Sequence, residues 1–359
     1  MKVLHINAGL EEGGAKTHIL SLLSQFPQEK VELLVLEEGS VAQEARLIGI
    51  KVCIVNQNSR YDLTILSEII NYIKRNQFDI VHSHGARANL LIALIKKKFS
   101  STWIATVHSD PRLDFMDKGL KGRIFSSLNI WSLKKADKLI VVTDNIKKEL
   151  IKRNVLSEKI FVVYNGIIFD GKPAIKKNHT LFTMTCIARL HPVKGHEFLL
   201  ESLKSSELNN FRLNIIGEGM LREKLEKKVI NLKLEKKVKF FGTLQKKEIE
   251  EVLQKTDLTV LTSLSEGFPL VLLESANQKV PFISTDVGDI ARLVPNSSYG
   301  WLVPVNDQLA FTSALKEAYL LWQSNNLIEK GERLFELASQ EYSLNKIYLD
   351  TLDVYIGKK

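Results

Sequence analysis

The sequence predicts an α/β protein made of two doubly wound domains, each with a parallel sheet, and three observations carry that prediction. The chain has 359 residues, too many for one ordinary core and well suited to two domains of about 150 to 200 residues each. Short apolar runs alternate with longer amphipathic segments, which is the pattern of β-α-β units. That alternation occurs twice, in two series separated by a glycine-, proline- and lysine-rich stretch.

Strands of the first series are expected at Val3–Asn7, Val31–Leu36, Lys51–Val55, Ile80–His82, Trp103–Val107, Leu139–Thr143 and Phe161–Tyr164, with amphipathic segments such as Leu63–Arg75 between them. The run NGIIFDGKPAIKKNHT, Asn165 to Thr180, reads as a hinge linker. A second series follows at Leu181–Ala188, Arg212–Ile216, Val238–Phe241, Leu258–Leu261 and Phe282–Thr285. The domains are therefore placed at 1–170 and 171–339. Ligands of open α/β sheets sit beyond the carboxyl ends of the strands, so two such domains are expected to face each other across a cleft lined by strand-to-helix loops.

Composition narrows the class. With 45% hydrophobic and 25% charged residues, the chain is an ordinary globular one. Cys53 and Cys186 lie far apart in apolar strand-like runs and read as reduced core thiols, which implies a reducing compartment. The N-terminus lacks the apolar stretch of a signal peptide, and no run reaches the 18 or so apolar residues needed to span a bilayer. A cytoplasmic protein is expected, with room for contact with the inner face of the membrane. The formal charge of +9 suits a phosphate ester, an anionic lipid or a nucleic acid. Without interleaved aromatic and basic residues, nucleic acid is not expected to be a partner.

The densest chemistry lies in TSLSEGFPLVLLESANQKVP, Thr262 to Pro281. A helix is expected from about Pro269, because proline is well tolerated at a first helical position. Gly267, Phe268, Pro269 and Leu270 then form a positive helix end able to seat a phosphate or an adjoining polyhydroxylated ring. Glu266 stands at that entrance and Glu274 one turn further in, where carboxylates can accept paired hydrogen bonds from vicinal hydroxyls. Alternatively, Glu266 complements the helix dipole and Glu274 sits on a solvated face. Strand Leu181–Ala188 runs into ARLHPVKG, which puts Arg189 and Lys194 on one loop as a diphosphate clamp. Gly217, after Arg212–Ile216, permits close approach of backbone, and Gly242, after Val238–Phe241, gives a flat base a place against main chain.

In the first domain, Gly13 and Gly14 open a helix without the G-x-G-x-x-G of a dinucleotide fingerprint. His108 ends strand Trp103–Val107, with Asp110 nearby, and is either cleft-facing or structural. His82 and His84 lack the further ligands of a closed metal site, so no metal and no other cofactor is expected.

Taken together, the Gly13-Gly14 loop, TVHSD, VVYNGI, ARLHPVKG, IIGEG, FFGTL and SEGFPLVLLESA resemble the retaining glycosyltransferases of family 4, with their two-domain GT-B fold. Glu266 and Glu274 match the family's E-x7-E pattern, while Pro269 stands where a glycine is common. The resemblance implies that Arg189 and Lys194 bind the donor diphosphate, Glu274 the ribose, and Glu266 with backbone from Gly267 to Leu270 the transferred sugar. It implies that His108 contacts that sugar near the reacting carbon and that Gly14 approaches phosphate or sugar from the other domain. It also implies a C-terminal helix, supplied by residues 340–359, that crosses back to the first domain. The implied reaction moves a hexose-type sugar from a nucleotide diphosphate sugar, with uridine favoured, to a glycan or lipid-linked acceptor in cell-surface polysaccharide or glycolipid synthesis. A sugar-nucleotide epimerase of the same architecture and a non-catalytic nucleotide-sugar-binding subunit are the alternatives.

Residues 115–135, FMDKGLKGRIFSSLNIWSLKK, set Leu120, Ile124, Leu128 and Trp131 at helical spacing beside Lys118, Lys121, Arg123, Lys134 and Lys135. This is either a helix packed on the first sheet with solvated cations or a patch for anionic lipid headgroups.

Overall fold

A computed structural model describes the chain apart from residues 12–13, 56–61, 110–118, 172–179, 207 and 359 and the side chains of residues 119 and 120. Gly13, Asp110, Lys118, the side chain of Leu120 and the linker segment 172–179 thus lie outside the described residues. Two compact units are present, one of Met1–Gly166 with Leu344–Lys359 and one of Ile167–Ser343.

The first unit holds seven parallel strands: β1 (Val3–Asn7), β2 (Val31–Val35), β3 (Lys51–Ile54), β4 (Ile80–His84), β5 (Thr102–Val107), β6 (Lys138–Val141) and β7 (Ile160–Val162). Their order is β3-β2-β1-β4-β5-β6-β7. Every residue of β1, β2 and β4 is buried, as expected where helices cover both faces of a parallel sheet. The helices are α1 (Gly14–Leu23), α2 (Ser40–Leu47), α3 (Ile65–Asn76), α4 (Ala86–Ile95), α5 (Gly119–Lys135) and α6 (Asp144–Ile151). One core layer gathers Ile69, Trp103, Leu139 and Leu150. The layer on the other face takes in Ile19, Leu33 and Ile104 together with Ile347, Val354 and Tyr355 of the last helix, α13 (Leu344–Ile356).

The second unit repeats the plan with β8 (Phe182–Ile187), β9 (Phe211–Ile216), β10 (Val238–Gly242), β11 (Leu258–Leu261), β12 (Phe282–Thr285) and β13 (Trp301–Val303), ordered β10-β9-β8-β11-β12-β13. Its helices are α7 (His196–Ser205), α8 (Arg222–Asn231), α9 (Lys246–Leu253), α10 (Leu270–Asn277), α11 (Gln308–Gln323) and α12 (Leu327–Glu341). Phe182, Phe311, Leu199 and Leu213 are fully buried in its core. Asp307 caps α11 by accepting a hydrogen bond from the Ala310 N–H at 2.9 Å.

Three local expectations change. β4 runs two residues past His82, so His84 is also a strand residue. The three-residue β13 was too short to stand out as an apolar run. Helix α10 begins at Leu270, and Pro269 (φ −74°, ψ 117°) stays extended just ahead of it, its carbonyl accepting from the Leu272 N–H at 3.2 Å. Both cysteines are free thiols. Among the described residues no helix is long and apolar enough to cross a membrane.

Candidate active site

In each sheet the chain order reverses at one place, between β1 and β4 and between β8 and β11. Such switch points open a crevice at the strands' carboxyl ends.

At the β8/β11 switch point, the loop after β8 makes a 3-10 turn, Pro192–Lys194, capped by His191, whose Nδ1 accepts from the Val193 N–H at 3.3 Å. It ends at Gly195 with φ +67°, where an added Cβ would lie 2.0 Å from the carbonyl oxygen of Thr262. Only glycine fits so close to the β11 loop in that conformation. The two loops are laced together: Thr262 Oγ1 donates to the Gly195 carbonyl at 3.1 Å, and the Leu264 N–H to the Val193 carbonyl at 2.7 Å.

That lacing brings Lys194 to Glu266. Nζ donates to Oε1 at 2.5 Å, with only 17% and 10% of the side chains exposed, and Ser263 Oγ donates to the same oxygen at 2.6 Å. The two residues predicted to bind diphosphate and sugar thus hold each other. Arg189 is exposed on the same loop. Gly267 follows Glu266 directly, Phe268 is buried against the Tyr342 ring with centroids 4.7 Å apart, and Leu270 opens α10. Glu274 is half-buried on α10. Burial pushes its carboxyl up, against the attraction of Lys246 and with the help of Glu250. Its carboxylate has no hydrogen-bond partner among the described residues.

Gly217 (φ +134°) is demanded by the chain itself, since a Cβ there would meet the Ala188 carbonyl oxygen at 2.1 Å. Its N–H donates to the Gly242 carbonyl at 2.8 Å, tying the ends of β9 and β10.

The β1/β4 switch point carries different chemistry. A cavity of about 170 Å³ is lined by Asn7, Glu11, His84, Asn89, His108 and Asn129, among others. Burial pushes the Glu11 carboxyl up despite hydrogen bonds from backbone and Asn7, and Glu11 Oε2 and Asn129 Oδ1 are buried without a hydrogen-bond partner. His108 is half-buried, its Nε2 3.4 Å from His84 Nδ1 and its ring edge-on to His18 at 5.0 Å. Burial, and next the nearby His18, holds His108 well below the usual imidazole range. Gly14 is exposed at the start of α1, with open space where a side chain would project.

Glu11, Asn129, His5 and Tyr355 were not singled out from sequence. In a strand, a histidine such as His5 looks like any inward-facing residue, and only the β1–β4 pairing, which sets His5 opposite His82, exposes its role.

Comparisons with known proteins agree with this architecture. A family model described as glycosyl transferases group 1 matches residues 169–334, and one for glycosyltransferase family 4 matches residues 12–170. An uncharacterised glycosyltransferase of Methanocaldococcus jannaschii is 28% identical over 288 residues, spanning 79% of this chain and 77% of that protein. The UDP-Gal:alpha-D-GlcNAc-diphosphoundecaprenol alpha-1,3-galactosyltransferase of Escherichia coli is 24% identical over 378 residues, spanning 98% of this chain and 97% of that one. The crystal structure of Anabaena HepE in complex with UDP shares the fold, with a TM-score of 0.85 at 17% identity over 99% of this chain and 100% of that one. Because the two family models change over at residues 169–170, close to the division of the units at Gly166/Ile167, and together account for residues 12–334, the chain is a glycosyltransferase of GT-B fold and belongs to group 1, family 4.

Proposed function

We propose that the enzyme is a retaining hexosyltransferase that takes its sugar from a UDP-sugar and delivers it to a glycan or lipid-linked acceptor in cell-surface polysaccharide or glycolipid synthesis. The observation that carries this reading is the meeting of Lys194, Glu266 and the amino end of α10 at the β8/β11 switch point. A cation and a positive helix end suit a diphosphate, and a carboxylate beside them suits the hydroxyls of the attached sugar. Support also comes from the E. coli relative, named for UDP-Gal and a diphosphoundecaprenol acceptor, and from the UDP in the Anabaena structure.

In this assignment Arg189 and Lys194 bind the diphosphate, and Glu266 with backbone from Gly267 to Leu270 holds the transferred sugar. Glu274 receives the ribose hydroxyls, which donate to a carboxylate that has no hydrogen-bond partner among the described residues. The uracil lies along the Gly217–Gly242 backbone. His108 and Gly14 keep the roles the family resemblance gives them, contact with the sugar near its reacting carbon and with phosphate or sugar. Negative charge grows on the leaving diphosphate as the glycosidic bond breaks, and fixed donors stabilise it without reorganising. The acceptor hydroxyl attacks from the leaving-group face and passes its proton to a donor phosphate oxygen, so configuration is retained.

The segment 115–135 is assigned to an anionic membrane surface. On α5 the apolar residues Ile124, Leu128 and Trp131 are 60%, 39% and 39% exposed, and Lys121, Arg123, Lys134 and Lys135 are exposed with them. That arrangement supports the lipid reading over a helix whose apolar stripe faces the sheet.

Thermal unfolding with a panel of nucleoside diphosphates tests the donor site. UDP at about 100 times its Kd should add about 2.7 kcal/mol to the parent, and Glu274→Ala should lose most of that gain. A parent indifferent to every nucleotide overturns the reading, and a product of inverted anomeric configuration by NMR overturns retention.

A further inference from the structure

Four histidines and a tyrosine form a line of hydrogen bonds through the first unit. Tyr355 Oη, on α13, lies 2.6 Å from His82 Nδ1 and 3.5 Å from His5 Nε2. His5 Nδ1 meets His84 Nε2 at 2.9 Å, and His84 Nδ1 meets His108 Nε2 at 3.4 Å. The planes of these successive rings differ by 11° and 25°, with centroids 5.1 and 5.6 Å apart. The nitrogens therefore face each other nearly in line, edge to edge. The other nitrogen of His82, Nε2, meets Thr106 Oγ1 at 2.6 Å.

Each nitrogen-to-nitrogen contact needs one proton and one lone pair, and a neutral imidazole carries one of each. Burial keeps these rings neutral, holding His5 down to about 3 and His82, His84 and His108 well below the usual 6.5. A phenol is a far better donor than an imidazole N–H. The 2.6 Å contact therefore runs from the Tyr355 O–H to His82 Nδ1, and His82 donates its Nε2–H to Thr106. The remaining lone pairs of Tyr355 Oη accept from His5 Nε2–H. That leaves His5 Nδ1 bare, so His84 donates from Nε2; His84 Nδ1 is then bare in turn, so His108 donates from Nε2. With the Tyr355 proton committed to the shorter contact, with His82, the reverse polarity of the remaining contacts would set lone pairs of Tyr355 and His5 against each other.

We propose that the Tyr355 hydroxyl, acting through the positioning residues His5 and His84, fixes His108 as its Nε2–H tautomer and leaves Nδ1 a bare acceptor on a residue lining the cavity. Only the use of this device in sugar transfer rests on the functional reading above. Ligand atoms of His5, His82 and His84 also lie within 4.8 Å of one another, which is the spacing of a candidate metal site. Yet two zinc–nitrogen bonds of about 2.0–2.1 Å at a tetrahedral angle hold their nitrogens roughly 3.3 Å apart. The 2.9 Å between His5 and His84 is a hydrogen bond's length.

Long-range 1H–15N correlation spectra of the full chain read which ring nitrogen carries the proton, with His108 assigned from the signal lost in His108→Gln. The parent should show His108 protonated at Nε2, and Tyr355→Phe, which removes only the hydroxyl, should show it protonated at Nδ1. A parent protonated at Nδ1, or one tautomer in both proteins, overturns the proposal. If Tyr355→Phe does not fold, the parent spectrum decides alone, Nε2 supporting and Nδ1 overturning. In transfer assays Tyr355→Phe should lower kcat about tenfold or more with the donor KM unchanged. An inverted tautomer with unchanged kcat strikes out the role in transfer. A parent that transfers no sugar counts against the functional reading, while the spectra still judge the tautomer.

Discussion

The two switch points are built on the same topology and carry opposite chemistry. At β8/β11 the Lys194 ammonium and the Glu266 carboxylate are held 2.5 Å apart as an ion pair. At β1/β4 the side chains are histidines, asparagines and a glutamate whose carboxyl burial pushes up, so burial works against charge there. The same topology thus carries different chemistry through a handful of residues at the strand ends, while the sheets stay alike.

Acid should break this symmetry first. Five histidines of the first unit, His5, His18, His82, His84 and His108, are held below the usual value by burial, against only His196 among the described histidines of the second. Each takes up a proton near 6.5 when unfolded but only at lower pH when folded. The stability it contributes is therefore complete above pH 6.5 and is lost as pH falls toward about 4 for His18 and His196 and about 3 for His5. Every such group costs about 1.4 kcal/mol per pH unit, so the ceiling is roughly 7 kcal/mol per unit in the first unit and roughly 1.4 in the second. Glu11 and Glu274, both raised, work the other way, one in each unit, and leave the contrast standing. Hydrogen exchange at pH 6.5 and pH 5 should show the strands β1 to β7 losing protection well before β8 to β13. Equal loss in both would remove the distinction.

Next in size is Lys194→Ala. It removes a charge from the donor site and strips Glu266 of its ion-pair partner, leaving the Ser263 hydroxyl. We expect kcat/KM for sugar transfer to fall about 10²- to 10³-fold, roughly 3–4 kcal/mol, with hydrogen exchange in the first unit untouched. A fall below fivefold would mean that the pair is structural and that Arg189 carries the phosphate alone. The smallest effect belongs to the surface of the first unit. Replacing Lys134 and Lys135 by alanine should weaken binding to vesicles rich in anionic lipid by about 2 kcal/mol, near thirtyfold. Soluble-donor affinity should not change, and unchanged vesicle binding would remove α5 from any membrane role.

Strands such as Val3–Asn7 and Phe282–Thr285 were legible because a buried parallel strand is an apolar run whatever surrounds it. The loops after β8 and β11 stood out as candidate sites because glycine, proline and charge cluster there against an otherwise apolar background. What the chain did not disclose is pairing. Lys194 and Glu266 are 72 residues apart, and only the lacing of Gly195 onto Thr262 sets them together. Tyr355 and His82 are 273 residues apart, and each on its own reads as a core residue. On α5 the spacing of Ile124, Leu128 and Trp131 gave a stripe but not which way it turns, since a helix's apolar face packs inward or outward by tertiary context alone.

The placement of α13 also bears on how the protein is made. Residues 344–356 complete the first unit's core through Ile347, Val354 and Tyr355, yet they leave the ribosome after all of Ile167–Ser343. The second unit is one unbroken stretch and can fold as soon as it emerges, whereas the first, begun earlier, is finished later. During that interval the core layer that α1 and α2 share with α13 lacks Ile347, Val354 and Tyr355. A nascent chain halted before residue 344 therefore carries every residue of the second unit and a first unit whose core is still short of one helix.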